Sequence, residues 1–203
     1  MNKRDFLSIP EAMARSVGDI AGLDVIDIGC GRGQVTEELV LLGANATGIE
    51  PNPAFLQCAR DSGRATFLAG TGEQTGLPDN AFGLAVFSES LHHAQDRFAA
   101  MKEAARIVKP GGRLVVIESE APDPIYEVAR YIDDEAPVYA EAQNAIAALV
   151  TSGSAVRAET LYYAAKYRGE TAQDMLDQMA AVDGSRSLAP GDRPPYEQAF
   201  AKA

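Results

Sequence analysis

The sequence predicts an α/β fold, a Rossmann-like doubly wound and mainly parallel sheet with helices on both faces. Short apolar runs alternate with segments of helical periodicity over residues 24–119. The first apolar run leads into a glycine-rich turn, VIDIGCGRG at Val25–Gly33, as buried strands do beside a bound nucleotide. A chain of 203 residues is also long enough to bury the core of one such domain.

The first half of the chain supplies three strands in alternation with helices. In chain order we predict a helix at Ile9–Ile20, a strand at Asp24–Ile28, a helix at Gly33–Leu42, a strand at Ala46–Glu50, a helix from Pro53 to Gly63 and a strand at Ala65–Ala69. Gly43 can end the second helix because glycine adopts the left-handed conformation. Asn52 can cap the third helix, and Pro53 suits its first turn.

Two more strands follow the turn-rich segment GTGEQTGLPDN at residues 70–80. We predict a strand at Leu84–Ser88, a helix at Asp96–Val108 and a fifth strand at Arg113–Ser119, after a turn at Pro110–Gly112. Unbroken alternation of strand and helix predicts parallel strands.

The alternation of strands and helices ends after Ser119. Helical patterns at Ile125–Ile132 and Val138–Val150 follow each other without a strand, which predicts an insertion at residues 120–158 that could act as a lid. Leu161–Arg168 alternates like a sixth strand. Thr171 and Asp174 resemble a capping box for a helix running to about Val182, and a last short helix is expected after Pro195.

Charge and composition exclude several classes of function. The net charge of -11 disfavours nucleic acid and anionic membranes as partners, which leaves a small molecule as the expected one. The N-terminus lacks the apolar core of a secretory signal, and no apolar run is long enough to span a bilayer, so we expect a cytoplasmic protein without membrane contact. Two cysteines, Cys30 and Cys58, and two histidines predict neither a disulfide framework nor a metal site.

The glycine-rich turn favours a cationic nucleotide over NAD. A dinucleotide site needs G-x-G-x-x-G, but Gln34 stands where the third glycine belongs. Asp27 would repel a pyrophosphate and attract a ligand that carries a sulfonium and an ammonium. S-adenosylmethionine is such a ligand. Glu50, at the end of the second strand, is placed to accept hydrogen bonds from both ribose hydroxyl groups.

These residues resemble the class I S-adenosylmethionine-dependent methyltransferases, in the branch similar to the ubiquinone and menaquinone biosynthesis enzymes. The resemblance covers Gly22–Glu118 and rests on VIDIGCGRG, Glu50, GTGEQTGLPDNAF, FSESLHH and ARIVKPGGRLVVIE. The length and the element pattern of the whole chain predict a single domain over residues 1–203, with a cofactor-binding half at 1–119, the insertion at 120–158 and a C-terminal strand and helix at 159–203. The residues implied to bind the cofactor are Asp27, Gly29, Cys30, Gly31, Glu50, Pro51, Thr71, Gly72, Glu73 and Ser88.

The chain departs from the pattern of that family in two ways. Thr71 stands where the family often has Asp to accept from the adenine amino group, and a hydroxyl accepts this hydrogen bond less strongly. This departure predicts modest cofactor affinity.

The second departure concerns the edge of the sheet. The family usually closes its sheet with an antiparallel seventh strand, but no apolar run follows Tyr196, so no seventh strand is predicted. A shortened chain, a divergent terminus or a homodimer packed over the sheet edge are the alternatives that would deal with the unpaired backbone groups of the edge strand.

The sequence predicts the cofactor better than the catalytic residues. A sulfonium is already activated, so holding the acceptor in line with the methyl carbon can supply most of the catalysis. His92 and Glu89, after the fourth strand, are the candidate general bases, with loop packing as the alternative role for each. The expected function is methyl transfer to a small-molecule acceptor; the alternative is a non-catalytic, S-adenosylmethionine-binding regulatory or interaction protein.

Overall fold

A computed structural model describes residues 7–119, 124–163, 171–182 and 184–203. The strands are β1 (Asp24–Ile28), β2 (Asn45–Glu50), β3 (Thr66–Ala69), β4 (Phe82–Ser88) and β5 (Val108–Ile117). The helices are α1 (Ile9–Val17), α2 (Gln34–Leu41), α3 (Pro53–Ser62), α4 (Arg97–Ile107), α5 (Pro124–Ala129), α6 (Ala136–Thr151), α7 (Ala172–Val182) and α8 (Arg193–Phe200), and a 3₁₀ turn lies at Leu91–His93.

The five strands form one parallel sheet in the order β3-β2-β1-β4-β5. This arrangement confirms the predicted α/β class. The strand order reverses at β1, whose Asp27 pairs with Gly48 of β2 and Val86 of β4. Parallel sheets bind ligands at the carboxyl ends of their strands beside such a reversal. The glycine-rich turn lies at that point.

Both faces of the sheet are buried, because β1 alternates between two apolar clusters. Ile26 and Ile28 pack with Ala100, Met101 and other residues of α4 on one face. Val25 packs with Met13 of α1 and Leu39 of α2 on the other. Near-continuous apolar strands such as β1, in which four of five residues are buried, are typical of a sheet covered on both sides.

Most predicted elements are present, and the largest difference lies in β5. This strand begins at Val108 rather than Arg113, because Val108 pairs with Phe82 at the start of β4. The register then shifts, and the next pair is Leu84 with Arg113. Gly112 permits the close approach: a Cβ there would lie 2.8 Å from the carbonyl oxygen of Gly83. The predicted turn residues Pro110–Gly112 lie inside β5, in the irregular stretch between its first two pairs with β4, where Gly111 has a left-handed φ of 80°.

The chain divides into two compact units, Met1–Glu118 with Glu141–Ala165, and Ser119–Ala140 with Lys166–Ala203. The insertion predicted at residues 120–158 is shared between them. In the second unit Val128, Met175 and Tyr196 form a small core. The predicted capping box opens α7, since the Thr171 amide donates to Asp174 at 2.8 Å and the Asp174 amide to the Thr171 hydroxyl at 3.1 Å.

The predicted sixth strand at Leu161–Arg168 is not seen in its described part. Leu161–Tyr163 form no strand, and residues 164–168 lie outside the described residues. The last helix, α8, begins at Arg193, slightly earlier than expected. Among the described helices, none combines the length and the apolar character that crossing a membrane requires.

Candidate cofactor and methyl-transfer site

The glycine-rich turn is built by close contacts that only glycine permits. Gly29 has a φ of 75°, and a Cβ there would lie 2.7 Å from the Cβ of Ser90, in the loop after β4. Gly33 caps α2 with a φ of 84°, and its Cβ would lie 2.7 Å from the Phe67 ring of β3. The amides of Gly29 and Cys30 donate to the carbonyl oxygen of Ile49. β2, β3 and the loop after β4 therefore hold this turn in position.

Asp27 is a buried carboxylate with an unused acceptor. Its side chain is 1% exposed, and the Thr36 hydroxyl donates to Oδ2 at 2.7 Å. Oδ1 is buried and has no hydrogen-bond partner in the part of the chain that the structure describes. Burial, and to a smaller extent the charge of Glu50, raises the pKa of Asp27 to about 6. A buried acceptor without a donor is costly, and a cationic ligand group would satisfy it.

Glu50 connects the glycine-rich turn to the start of α3. Its Oε2 accepts from the Gly31 amide at 2.9 Å and its Oε1 from the Asn52 amide at 2.8 Å. Each oxygen has a second lone pair, which a ribose hydroxyl can use. Asn52 caps α3, as the sequence predicts, by accepting from the Ala54 amide.

Cys30 packs against protein rather than acting as a thiolate. It lies in an apolar cluster with Leu56, Ala59 and Phe67. Burial, helped by the charges of Asp27 and Glu50, raises the pKa of its thiol to about 12. The neutral thiol leaves the backbone of Cys30 as the part able to contact a ligand.

The segment predicted to contact adenine is held by internal hydrogen bonds. The Thr71 hydroxyl accepts from the Gln74 amide at 3.3 Å, and Glu73 accepts from the amides of Gln95 and Asp96. A Cβ on Gly72 would lie 3.3 Å from Ile28 and Ala100. Glu73 thus joins this segment to the start of α4, a role the sequence does not suggest.

The same segment has a second connection to α4 that the sequence does not suggest. Arg106 pairs with Glu103 and Asp79 and donates to the carbonyl oxygen of Leu77 at 2.8 Å. Glu103 accepts from both the hydroxyl and the amide of Thr75. The Arg106 hydrogen bonds hold the pKa of Glu103 near 2, so it stays charged. We call these residues, Thr75, Leu77, Asp79, Glu103 and Arg106, the α4 clamp.

The end of β4 carries Ser88 and Glu89. Ser88 pairs with Ile117 of β5. Glu89 is exposed, and its φ of 50° is uncommon for a residue with a side chain. Pro51, after β2, is exposed as well. Strained backbone after a strand is often found at functional sites.

His92 is buried and bonded to Glu118, a residue without a predicted role. The two side chains are 3% and 2% exposed, and Nδ1 of His92 lies 2.5 Å from Oε2 of Glu118. The same carboxylate accepts from the His92 amide at 3.2 Å through Oε1. Because β4 and β5 are parallel neighbours, the residues just past their carboxyl ends meet. The predicted pairing of β4 and β5 is therefore the observation from which a contact between Glu118 and His92 could be expected.

Comparison with known proteins agrees with this geometry. Residues 26–116 match a family model described as a methyltransferase domain. The chain is 34% identical over 115 residues to a demethylmenaquinone methyltransferase of Tropheryma whipplei, covering 55% of this chain and 48% of that protein. It is 30% identical over 108 residues to a ubiquinone biosynthesis O-methyltransferase of Azorhizobium caulinodans, covering 51% and 43%.

A solved structure supports the same assignment. An S-adenosylmethionine dependent methyltransferase from Mesorhizobium loti aligns with a TM-score of 0.51 and 26% identity, over 58% of this chain and 55% of that one. The chain spans roughly half the length of the curated relatives it matches. Residues 26–116 therefore match a methyltransferase domain, and the chain is similar in sequence and fold to S-adenosylmethionine-dependent methyltransferases.

Proposed function

We propose that this chain binds S-adenosylmethionine beside β1 and β2 and transfers its methyl group to a small-molecule acceptor. The observation that carries the proposal is Oδ1 of Asp27, a buried acceptor without a partner among the described residues. The ammonium of the ligand would supply the missing donor. Glu50, the glycine turn and Pro51 would then face the ribose and adenine.

The ligand supplies an activated methyl group, and the residues of this chain bind and orient it. Gly29 and Gly31 let backbone amides approach, as the resemblance implies. Ser88 offers its backbone to the methionine end, and Thr71, Gly72 and Glu73 shape the adenine end. His92 and Glu89 are the candidates for contact with the acceptor.

Relatives in quinone biosynthesis support a quinone-like or phenol-like acceptor. Nothing favours the alternative, a non-catalytic binding protein. That the chain lies in the cytoplasm, avoids nucleic acid and forms a homodimer remain predictions.

Calorimetric titration tests cofactor binding. Purified protein is titrated with S-adenosylmethionine, S-adenosylhomocysteine and NAD. We expect the two sulfur compounds to bind and NAD not to, because both carry an ammonium group that can donate to Asp27 and NAD has none. The isosteric Asp27→Asn variant should bind both more weakly, and equal affinity of this variant would contradict the assignment.

A transfer assay tests the reaction. Protein and methyl-labelled S-adenosylmethionine are incubated with catechol, 1,4-naphthoquinol, an aromatic amine and a thiol. Label on one of these compounds supports the enzyme assignment. Tight cofactor binding with no transfer to any acceptor class would favour the regulatory alternative.

A further inference from the structure

The buried contact between His92 and Glu118 carries an inference that rests on the proposed function and extends it. We propose that Glu118 is a positioning residue that orients His92 to take a proton from a hydroxyl group of the acceptor. The acceptor would accordingly be a phenol-like or enol-like compound, methylated on oxygen.

The contacts fix His92 in two ways. Oε2 of Glu118 lies 2.5 Å from the imidazole Nδ1, and Oε1 accepts from the backbone amide of the same residue. One carboxylate therefore holds both the ring and the backbone of His92. Both side chains are almost fully buried, so water does not compete for these hydrogen bonds.

The hydrogen bond determines the chemistry of the ring. When Glu118 is ionised and His92 neutral, Nδ1 carries the proton that is donated to the carboxylate, and Nε2 carries the lone pair. After Nε2 takes a proton, the adjacent carboxylate stabilises the imidazolium. Carboxylate–histidine pairs in acyl transfer use the same arrangement.

The neighbouring groups of the first unit are mostly acidic. Ligand atoms of Glu89, His92 and Glu118 lie within 4.8 Å of one another, and the His93 ring lies 3.9 Å from the His92 ring. Arg97 donates to the His92 carbonyl oxygen at 2.6 Å and is paired with Glu141. The acidic neighbours favour a positive imidazolium.

The proposed step conserves atoms and electrons. A lone pair of the acceptor oxygen forms a bond to the methyl carbon, while the carbon–sulfur bond breaks and leaves its electron pair on sulfur. The O–H proton passes to Nε2 of His92. An imidazole can take this proton from a phenol, whose pKa is near 10, far more readily than from an aliphatic alcohol.

NMR of the histidines tests the positioning role without any acceptor. The chain has only two histidines, so a His93→Gln variant assigns both signals. We expect the Nδ1–H tautomer for His92 in the wild-type protein. In the Glu118→Gln variant, the titration midpoint of His92 should be lower than in the wild type by about one pH unit or more. Glu37→Gln is the control, since Glu37 likewise accepts from two backbone amides, those of Arg64 and Ala65. An Nε2–H tautomer, or an unchanged midpoint in Glu118→Gln, would overturn the proposal.

Kinetics with catechol tests the hydroxyl assignment. In the Glu118→Gln variant, kcat should be lower than in the wild type, and the acid limb of its pH profile should move to lower pH. The affinity for S-adenosylhomocysteine should be unchanged. The conservative variant Glu118→Asp should keep more of kcat than Glu118→Gln. Methyl transfer to the amine or thiol but to no hydroxyl compound would contradict the hydroxyl assignment. Loss of activity with EDTA would also contradict it, because it would indicate a bound cation. If the wild-type protein binds no S-adenosylhomocysteine, the proposed function itself fails, independently of the NMR result.

Discussion

At the scale of the residue, Asp27 has the most unusual environment described in the site. It is buried between β2 and β4, next to a second carboxylate, with one oxygen unpartnered among the described residues. Burial raises its pKa to about 6, so its neutral form persists to a higher pH than that of an ordinary carboxyl group. A bound cation favours the ionised form and opposes this effect of burial.

This linkage predicts a pH-dependent cofactor affinity. Below its pKa Asp27 is protonated in the free protein, and binding must release that proton. Affinity for S-adenosylhomocysteine should then be roughly tenfold weaker at pH 5 than at pH 7, and the loss should grow as pH falls. Calorimetry across this range measures it.

Two variants on β1 make the test specific. Asp27→Asn should bind weakly at both pH values, with little pH dependence. Asp24→Asn should behave like the wild type, because Asp24 is paired with Lys109 at the opposite end of the strand. A pH dependence that persists in Asp27→Asn would assign the titration to another group.

At the scale of the element, the turn between β1 and α2 depends on packing as much as on conformation. Gly33→Ala should destabilise the protein by about 2–4 kcal/mol, since left-handed strain of about 1–2 kcal/mol adds to a clash with Phe67. Gly76→Ala is the matched control, because Gly76 has a φ of 70° but nothing within 4 Å of its Cβ position. Urea unfolding compares the two. Equal losses would show that the Phe67 contact contributes nothing.

The α4 clamp is the second element with a testable role. Glu103→Gln should weaken the hydrogen bonds of a charged acceptor, each worth about 1.5–3 kcal/mol. We expect faster amide exchange at Thr75, whose N–H donates to Glu103 at 2.9 Å, and a severalfold loss of cofactor affinity. The exposed neighbour Lys102, changed to Gln, serves as the control. Unaltered exchange at Thr75 would show that the clamp does not hold this segment.

At the scale of the whole molecule, ligand binding should raise the unfolding temperature. A ligand present at 100 times its Kd stabilises the folded state by about 2.7 kcal/mol. For a chain of this size that corresponds to roughly 5–11 °C. Thermal unfolding with S-adenosylhomocysteine should show this shift, and the same concentration of NAD should not.

The sequence predicted the parallel sheet and its strands because the signals are local. The run Val25–Ile28, the Gly29 turn and the Asn52 cap each act within a few residues, and the structure has all three where they were expected. β5 begins at Val108, before the predicted start at Arg113, because Val108 pairs with Phe82 of β4. The local pattern, with Pro110 and two glycines, indicates the irregular segment but not the pairing on its far side.

The sequence by itself determined the order of the five parallel strands and the helices between them, the glycine-rich turn, Asp27 before it and Glu50 at the end of β2, because these follow from apolar periodicity and turn chemistry. Only the tertiary structure decided which distant side chains meet. Glu118 reaches His92 across 26 positions, and Glu103 reaches Thr75 across 28. Such contacts depend on which strands and helices become neighbours, and short-range sequence patterns do not contain that information.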